Sequence, residues 1–321
     1  MNDTRLPSLH PLPATELPSL VTASGPAARF AWEEFIDGAI SNENTRKAYR
    51  RAVWRFLEWC DGQRLELASV TPGHVGRYFA GLALAPASKK LVLAAVRHFF
   101  DKCVTRHVVI LNPALSVRTG RHQVVEGKTP EITADQARQL LASIDASHVV
   151  GLRDRAIIAT LIYTAARVGA VAKLRIQDFN HDGTQYTLRF REKGGKEREI
   201  PVRHDLEQFV LAYLYAAGIA NSDPTSPLFR STVRKTKRLT ASAMTASDMC
   251  RMMKRRLADA GLPRRLSPHS FRVATITNLL DQGVPLDEVQ YLAGHSDPRT
   301  TRLYDRRPKR VTRSIVERIS I

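Results

Sequence analysis

The chain has 321 residues, 43% of them hydrophobic, enough for two domains with separate cores. Its 49 Lys and Arg against 31 Asp and Glu leave a formal charge of +18, and the basic residues run through ordered-looking segments, which points to nucleic acid as the polyanionic partner. No run of about 18 apolar residues occurs. The opening MNDTRLPSLHPLP has no apolar signal core, so the cytoplasm, with the nucleoid and its DNA, is the expected location and no membrane partner is expected. Cys60, Cys103 and Cys250 are scattered without a CxxC pair, which argues against a disulfide frame or a zinc site and makes core residues of them.

Pro7, Pro11, Pro13, Pro18 and Pro26 crowd the first stretch, and residues 1–26 read as an unstructured lead-in outside the fold. From Asn44 a helix is predicted, with Tyr49, Val53, Phe56, Leu57 and Cys60 as its apolar stripe and Arg46, Lys47, Arg50, Arg51 and Arg55 on its other faces. A second helix from near Ser88 buries Val92, Ala95, Val96, Phe99 and Cys103 beside Lys89, Lys90 and Arg97. Residues 27–117 therefore form a small helical domain whose basic faces are candidate DNA contacts. VRTGRHQVVEGKTP, with Arg118 and Arg121, is polar and aperiodic, and 118–130 reads as a linker able to cross a DNA backbone.

A capped helix at Thr133 opens the second domain, 131–308, and the apolar AIIATLIYTAA follows as a buried helix. Gln185 to Arg191 and Glu197 to Val202 are predicted strands of a hairpin joined through Lys193-Gly194-Gly195-Lys196. The remainder is expected to be helical. Ser267-Pro268 starts one helix, Gly283 to Pro285 ends it, and further helices are placed at about 286–293 and 309–319. The last, amphipathic through Val311, Ile315 and Ile319, is a candidate for docking on a neighbouring subunit.

Moving a phosphodiester onto a protein hydroxyl needs cations on the nonbridging oxygens, a proton acceptor for the nucleophile and an acid for the leaving oxygen. Arg167 follows the buried helix, where a guanidinium can hold a phosphate through two parallel bonds. Lys193, with Lys196 as competitor, heads the hairpin turn. His269 and Arg272 stand three apart in a first helical turn and point the same way. His295 follows a short helix, and Tyr304 comes later in a basic stretch. Each of these, taken singly, has an ordinary structural explanation.

Together they resemble the tyrosine recombinases, or phage-type integrases, through NTRKAYRRAVWRF, TAARVGAVAKLRIQDF, REKGGKEREIPV, HSFRVATITNLL and LAGHSDPRTTRLYDRR. The resemblance is nearest to integrases of plasmids and transposons. It implies a mainly α, two-domain DNA clamp: an N-terminal helical core-binding domain and a C-terminal α-helical catalytic domain with a small antiparallel β-sheet. It implies that Arg167 and Arg272 clamp the scissile phosphate, that His269 and His295 assist proton transfer, and that Lys193 protonates the leaving 5′ oxygen. Tyr304 would attack to give a 3′-phosphotyrosyl link, with no metal, cofactor or ATP. The partners implied are double-stranded DNA with a specific core site and further copies of the chain, as a tetramer on two sites exchanging strands through a Holliday junction. No added arm-site domain is expected ahead of residue 27. Two positions depart from the pattern: Ala170 stands where many relatives carry an acidic support for the first arginine, and Val273 stands where histidine is frequent. A noncatalytic DNA-binding protein and a type IB topoisomerase are the rival readings.

Overall fold

The computed structural model describes residues 17–120, 129–191, 195, 197–234, 236–305 and 317. It is mainly helical, with two small antiparallel sheets, and divides into two compact units, Met1–Gln123 and Val124–Ile321.

The first unit comprises α1 (Ser19–Ala23), α2 (Pro26–Glu33), a π-helical turn (Glu34–Gly38), α3 (Glu43–Gly62), α4 (Pro72–Gly81) and α5 (Pro86–Thr105). Asn42 caps α3 by accepting from the Thr45 amide at 3.1 Å. The stripes expected of α3 and α5 meet in an aromatic core in which Phe35, Phe56, Phe99 and Phe100 are fully buried, and Cys60 and Cys103 lie within it. Tyr49 packs only partly against that core.

The expectation of an unstructured lead-in fails from residue 17 onward. Leu20, Val21 and Ala28 are buried in the same core, because Pro18 precedes one helix and Pro26 starts the next, positions where a missing N–H costs nothing. The prolines punctuate short helices. Residues 1–16 lie outside the described part.

In the second unit Thr133 caps α6 (Ala134–Ala142), as expected. Then come α7 (Val149–Thr164), α8 (Val168–Val171), β1 (Phe179–His181), β2 (Tyr186–Arg191), β3 (Glu197–Pro201), α9 (His204–Ala216), β4 (Arg230–Thr232), β5 (Leu239–Ala243), α10 (Ala246–Asp259), α11 (Pro268–Asp281), α12 (Leu286–Ala293) and α13 (Pro298–Arg302). The apolar run becomes α7, buried almost all round and packed by α9 and α11. The predicted hairpin is β2–β3, paired from Thr187↔Pro201 to Arg191↔Glu197. β1 extends it to three strands, Phe179 opposite Leu188. The expectation that the rest is helical fails at β1 and at the β4–β5 hairpin, since strands this short, with little alternation in β4, leave no period to read. The helix placed at 309–319 falls almost wholly outside the described residues. Among the described residues no helix is long and apolar enough to cross a membrane.

Gly151 admits no larger residue. A Cβ there would lie 1.7 Å from the carbonyl oxygen of Asp145, so Gly151→Ala is expected to cost about 1–3 kcal/mol, measurable as a lowered urea midpoint.

Candidate active site

The site is built where two helices end. α7 stops at Thr164, and Ala165 turns left-handed with φ 49°, a conformation disfavoured for any residue with a Cβ and held here by its surroundings. α12 stops at Ala293, with Gly294 left-handed at φ 62°, where glycine carries no such strain. Both breaks turn carbonyls inward. Arg272, on α11 and 1% exposed, donates Nη1 to Ala165 O and Nη2 to Ala293 O, the latter at 2.6 Å. Arg167, just after the first break and exposed, donates Nη1 to Gly294 O at 3.2 Å. Helix C-termini carry partial negative charge, which suits arginines there.

The start of α11 matches the expected cap and proline: the Ser270 hydroxyl accepts from the Ser267 amide at 3.0 Å, and Pro268 takes the first helical position. That turn brings His269 to the open edge of the site, its Nε2 3.2 Å from the Tyr304 hydroxyl. Tyr304 itself is 9% exposed. Its ring stacks on His295 at 5.5 Å between centroids, it sits in a small cluster with Val273, Ile276 and Leu280, and Thr277 Oγ1 donates to its carbonyl at 3.4 Å. Val273 thus fills apolar space where the family often has histidine.

His295 is fixed from both sides. Its Nδ1 lies 2.8 Å from Thr301 Oγ1, its amide donates to Gln290 O at 3.1 Å, and Gln290 Nε2 donates to its carbonyl at 3.0 Å. Burial above all, then Arg272 and Arg167, push its pKa down to about 3, and the same causes lower that of His269. Both rings are therefore neutral at pH 7. A histidine depressed in the fold takes up protons on unfolding, so stability is present above about pH 6.5 and is lost as pH falls from there toward 3. Replacing His295 with Gln is expected to flatten that dependence by up to one proton, about 1.4 kcal/mol per pH unit, in urea titrations run between about pH 7 and 4.5.

Five of the six expected catalytic residues, Arg167, His269, Arg272, His295 and Tyr304, thus meet in one chain. Lys193 lies outside the described residues, as do Lys196 and Arg121. Gln290, Thr301 and the left-handed Ala165 were not anticipated; a threonine three residues before a tyrosine gives no distinctive signal. The orientation that Ala170 leaves unsupported is provided at least by Gly294 O. Among the described residues no group of three or more His, Cys, Asp or Glu is placed to hold a metal.

The candidate DNA contacts divide. Lys47 pairs with Glu43 at 2.6 Å on the exposed face of α3, while Arg46 donates Nε to Ile40 O at 3.2 Å and faces Asp37. Arg51, Lys90 and Arg118 are exposed and Arg50 is half-buried. Lys89 donates to Phe79 O at 3.1 Å. The guanidinium of Arg97 binds the carbonyls of Ala114, Leu115 and Val117, holding the chain that leaves α5 because those carbonyls belong to no helix or strand.

The phage integrase family model matches residues 130–310, and that for the phage integrase N-terminal SAM-like domain matches residues 30–109. The chain belongs to the phage integrase family. It is 28% identical to the tyrosine recombinase XerD of Pseudomonas aeruginosa (strain PAO1) over 267 residues, covering 82% of this chain and 86% of that protein. With the tyrosine recombinase XerC of Pelobacter propionicus the identity is 30%, over 71% and 72% of the two chains. The fold is that of the XerH site-specific recombinase solved on its palindromic difH substrate (TM-score 0.68, 19% identity, 92% and 95% coverage) and of a lambda integrase tetramer solved on a Holliday junction (0.63, 16%, 88% and 80%). The protein is a tyrosine-type site-specific recombinase.

Proposed function

We propose that this recombinase cuts and reseals duplex DNA at a specific core site through a 3′-phosphotyrosyl bond on Tyr304, in the integration, excision or resolution of a mobile element. The observation that carries the reading is the 3.2 Å contact of the Tyr304 hydroxyl with His269 Nε2, beside a second neutral histidine and two arginines. Arg167 and Arg272 hold the nonbridging oxygens. His269 accepts the phenolic proton as the tyrosine oxygen bonds to phosphorus, the bond to the 5′ oxygen breaks, and Lys193 supplies that oxygen with a proton. The new ester retains the phosphodiester's energy, so resealing needs no ATP, and no step is assigned to a metal.

Arg46, Lys47, Arg50, Arg51, Lys89, Lys90 and Arg118 of the first unit, with Arg121 and Lys196, are assigned to the DNA. Four copies on two sites, exchanging strands through a Holliday junction and linked by residues 309–321, are the working assembly, in the cytoplasm with the nucleoid. The test is incubation with supercoiled DNA carrying the native flanking region, followed by denaturing gels and peptide mapping. Nucleotide joined through a 3′ phosphate to the peptide containing Tyr304 is the expected result. Tight binding with intact DNA would replace the reading by a noncatalytic binder, and relaxation without joining of two sites by a type IB topoisomerase.

A further inference from the structure

β3 turns Glu197, Glu199 and Pro201 outward and Arg198 and Ile200 inward. An arginine in an inward slot is costly unless its charge is met, and this one is 4% exposed. Its cross-strand neighbour is Phe190, whose ring centre lies 5.1 Å from the guanidinium carbon. Its Nη1 faces the carbonyl of Thr164 at 3.5 Å. Thr164 ends α7, the next carbonyl accepts from Arg272, and Arg167 comes two residues after that. On its other side Arg198 lines a cavity of about 340 Å³ together with Gly294, whose carbonyl holds Arg167, and His295. Arg198 therefore meets the end of α7 directly and borders the same cavity as the end of α12.

We propose that Arg198 is a positioning residue for strand transfer: it fixes the end of α7 and places a third positive charge behind Arg167 and Arg272, so that the pair meets the scissile phosphate with its geometry already set. The inference rests on the recombinase reading above. Buried against Phe190 and the α7 terminus, Arg198 acts through the two arginines. The electrostatics agree, since burial first and then Arg167, with Arg198 among the further contributors, lower the pKa of Arg272 to about 10. Cations packed so closely gain most when an anion arrives. If Arg198 were only core filling, an apolar residue of similar length would serve as well.

The test compares Arg198→Met, Arg198→Gln and Arg198→Lys with the wild type on an oligonucleotide carrying the mapped cleavage site, reading single-turnover cleavage, DNA affinity by gel shift and the melting temperature. Arg198→Met is expected to bind DNA within about threefold of wild type yet cleave it about 10- to 100-fold more slowly, with Arg198→Lys recovering much of the loss. Arg198→Gln keeps a donor but not the charge; it is expected to be slow as well, and carries the test if the methionine variant does not fold. Wild-type cleavage in the uncharged variants, a loss confined to affinity, or a lysine variant as slow as the others would each overturn the proposal. A wild type that forms no adduct would instead remove the recombinase reading itself.

Discussion

Tyr304→Phe is expected to bind DNA within about threefold of wild type while losing cleavage by at least about 10⁴-fold, the scale seen when an enzyme's nucleophile is deleted. The substitution removes a single oxygen. The ring's packing against Val273, Ile276 and Leu280 and its stacking on His295 do not involve that oxygen, and the main-chain hold from Thr277 is untouched. The hydroxyl meets His269 Nε2 and also interacts with Arg272; His269, at the open edge of the site, can turn to water when that oxygen goes, and Arg272 keeps its bonds to the carbonyls of Ala165 and Ala293. Fold and phosphate clamp therefore survive as the nucleophile disappears. Denaturing gels for the covalent adduct, beside gel shifts on the same DNA, separate the two effects. A phenylalanine variant that still forms an adduct would move the nucleophile to another residue.

Several of these features were legible in the sequence because they follow from local rules. α7 is written in an unbroken apolar run, α6 in a threonine cap, and α11 in Ser267-Pro268. The site residues were legible as a set of chemical types in a characteristic order, which fixes what they are but not what they touch. Arg167 and Arg272 are held by the carbonyls of Ala165, Ala293 and Gly294, and main-chain acceptors look alike at every position of a sequence. The left-handed turn at Ala165 was invisible for a related reason: tertiary contacts impose it on a residue that favours helix. Lys89 and Arg97, candidate DNA contacts by sequence, also reach back to main-chain carbonyls of their own unit. Arg198 did leave a trace, a charge at an apolar slot of an alternating strand, but the trace is readable only once the strand's inward face is known.

The second large effect concerns stability. Asp154 lies fully buried on α7, and each of its oxygens takes a two-pronged arginine. Arg153 donates Nε and Nη2 to Oδ1 at 3.1 and 2.6 Å, and Arg256 of α10 donates Nε and Nη2 to Oδ2 at 3.0 and 2.7 Å. Arg153 Nη1 continues to Arg230 O in β4 at 2.9 Å, so one carboxylate ties three elements together. Asp154→Asn is nearly isosteric, yet it takes the counter-charge from the buried Arg153 and leaves Arg256 only the more distant Asp259, at 3.9 Å. The expected cost is about 3–5 kcal/mol, as for other buried pairs broken from one side. Arg256→Met should cost less, because Asp154 keeps Arg153 and the lost guanidinium was partly solvated. Ten residues of helix, about 15 Å along the axis, separate Asp154 from Thr164, so the asparagine variant, assayed cold enough to stay folded, should cleave DNA at close to the wild-type rate. Urea unfolding and single-turnover cleavage on one preparation decide the matter. A large fall in rate without a fall in stability would mean that Asp154 reaches the site through α7, and that scaffold and chemistry are not separate along this helix.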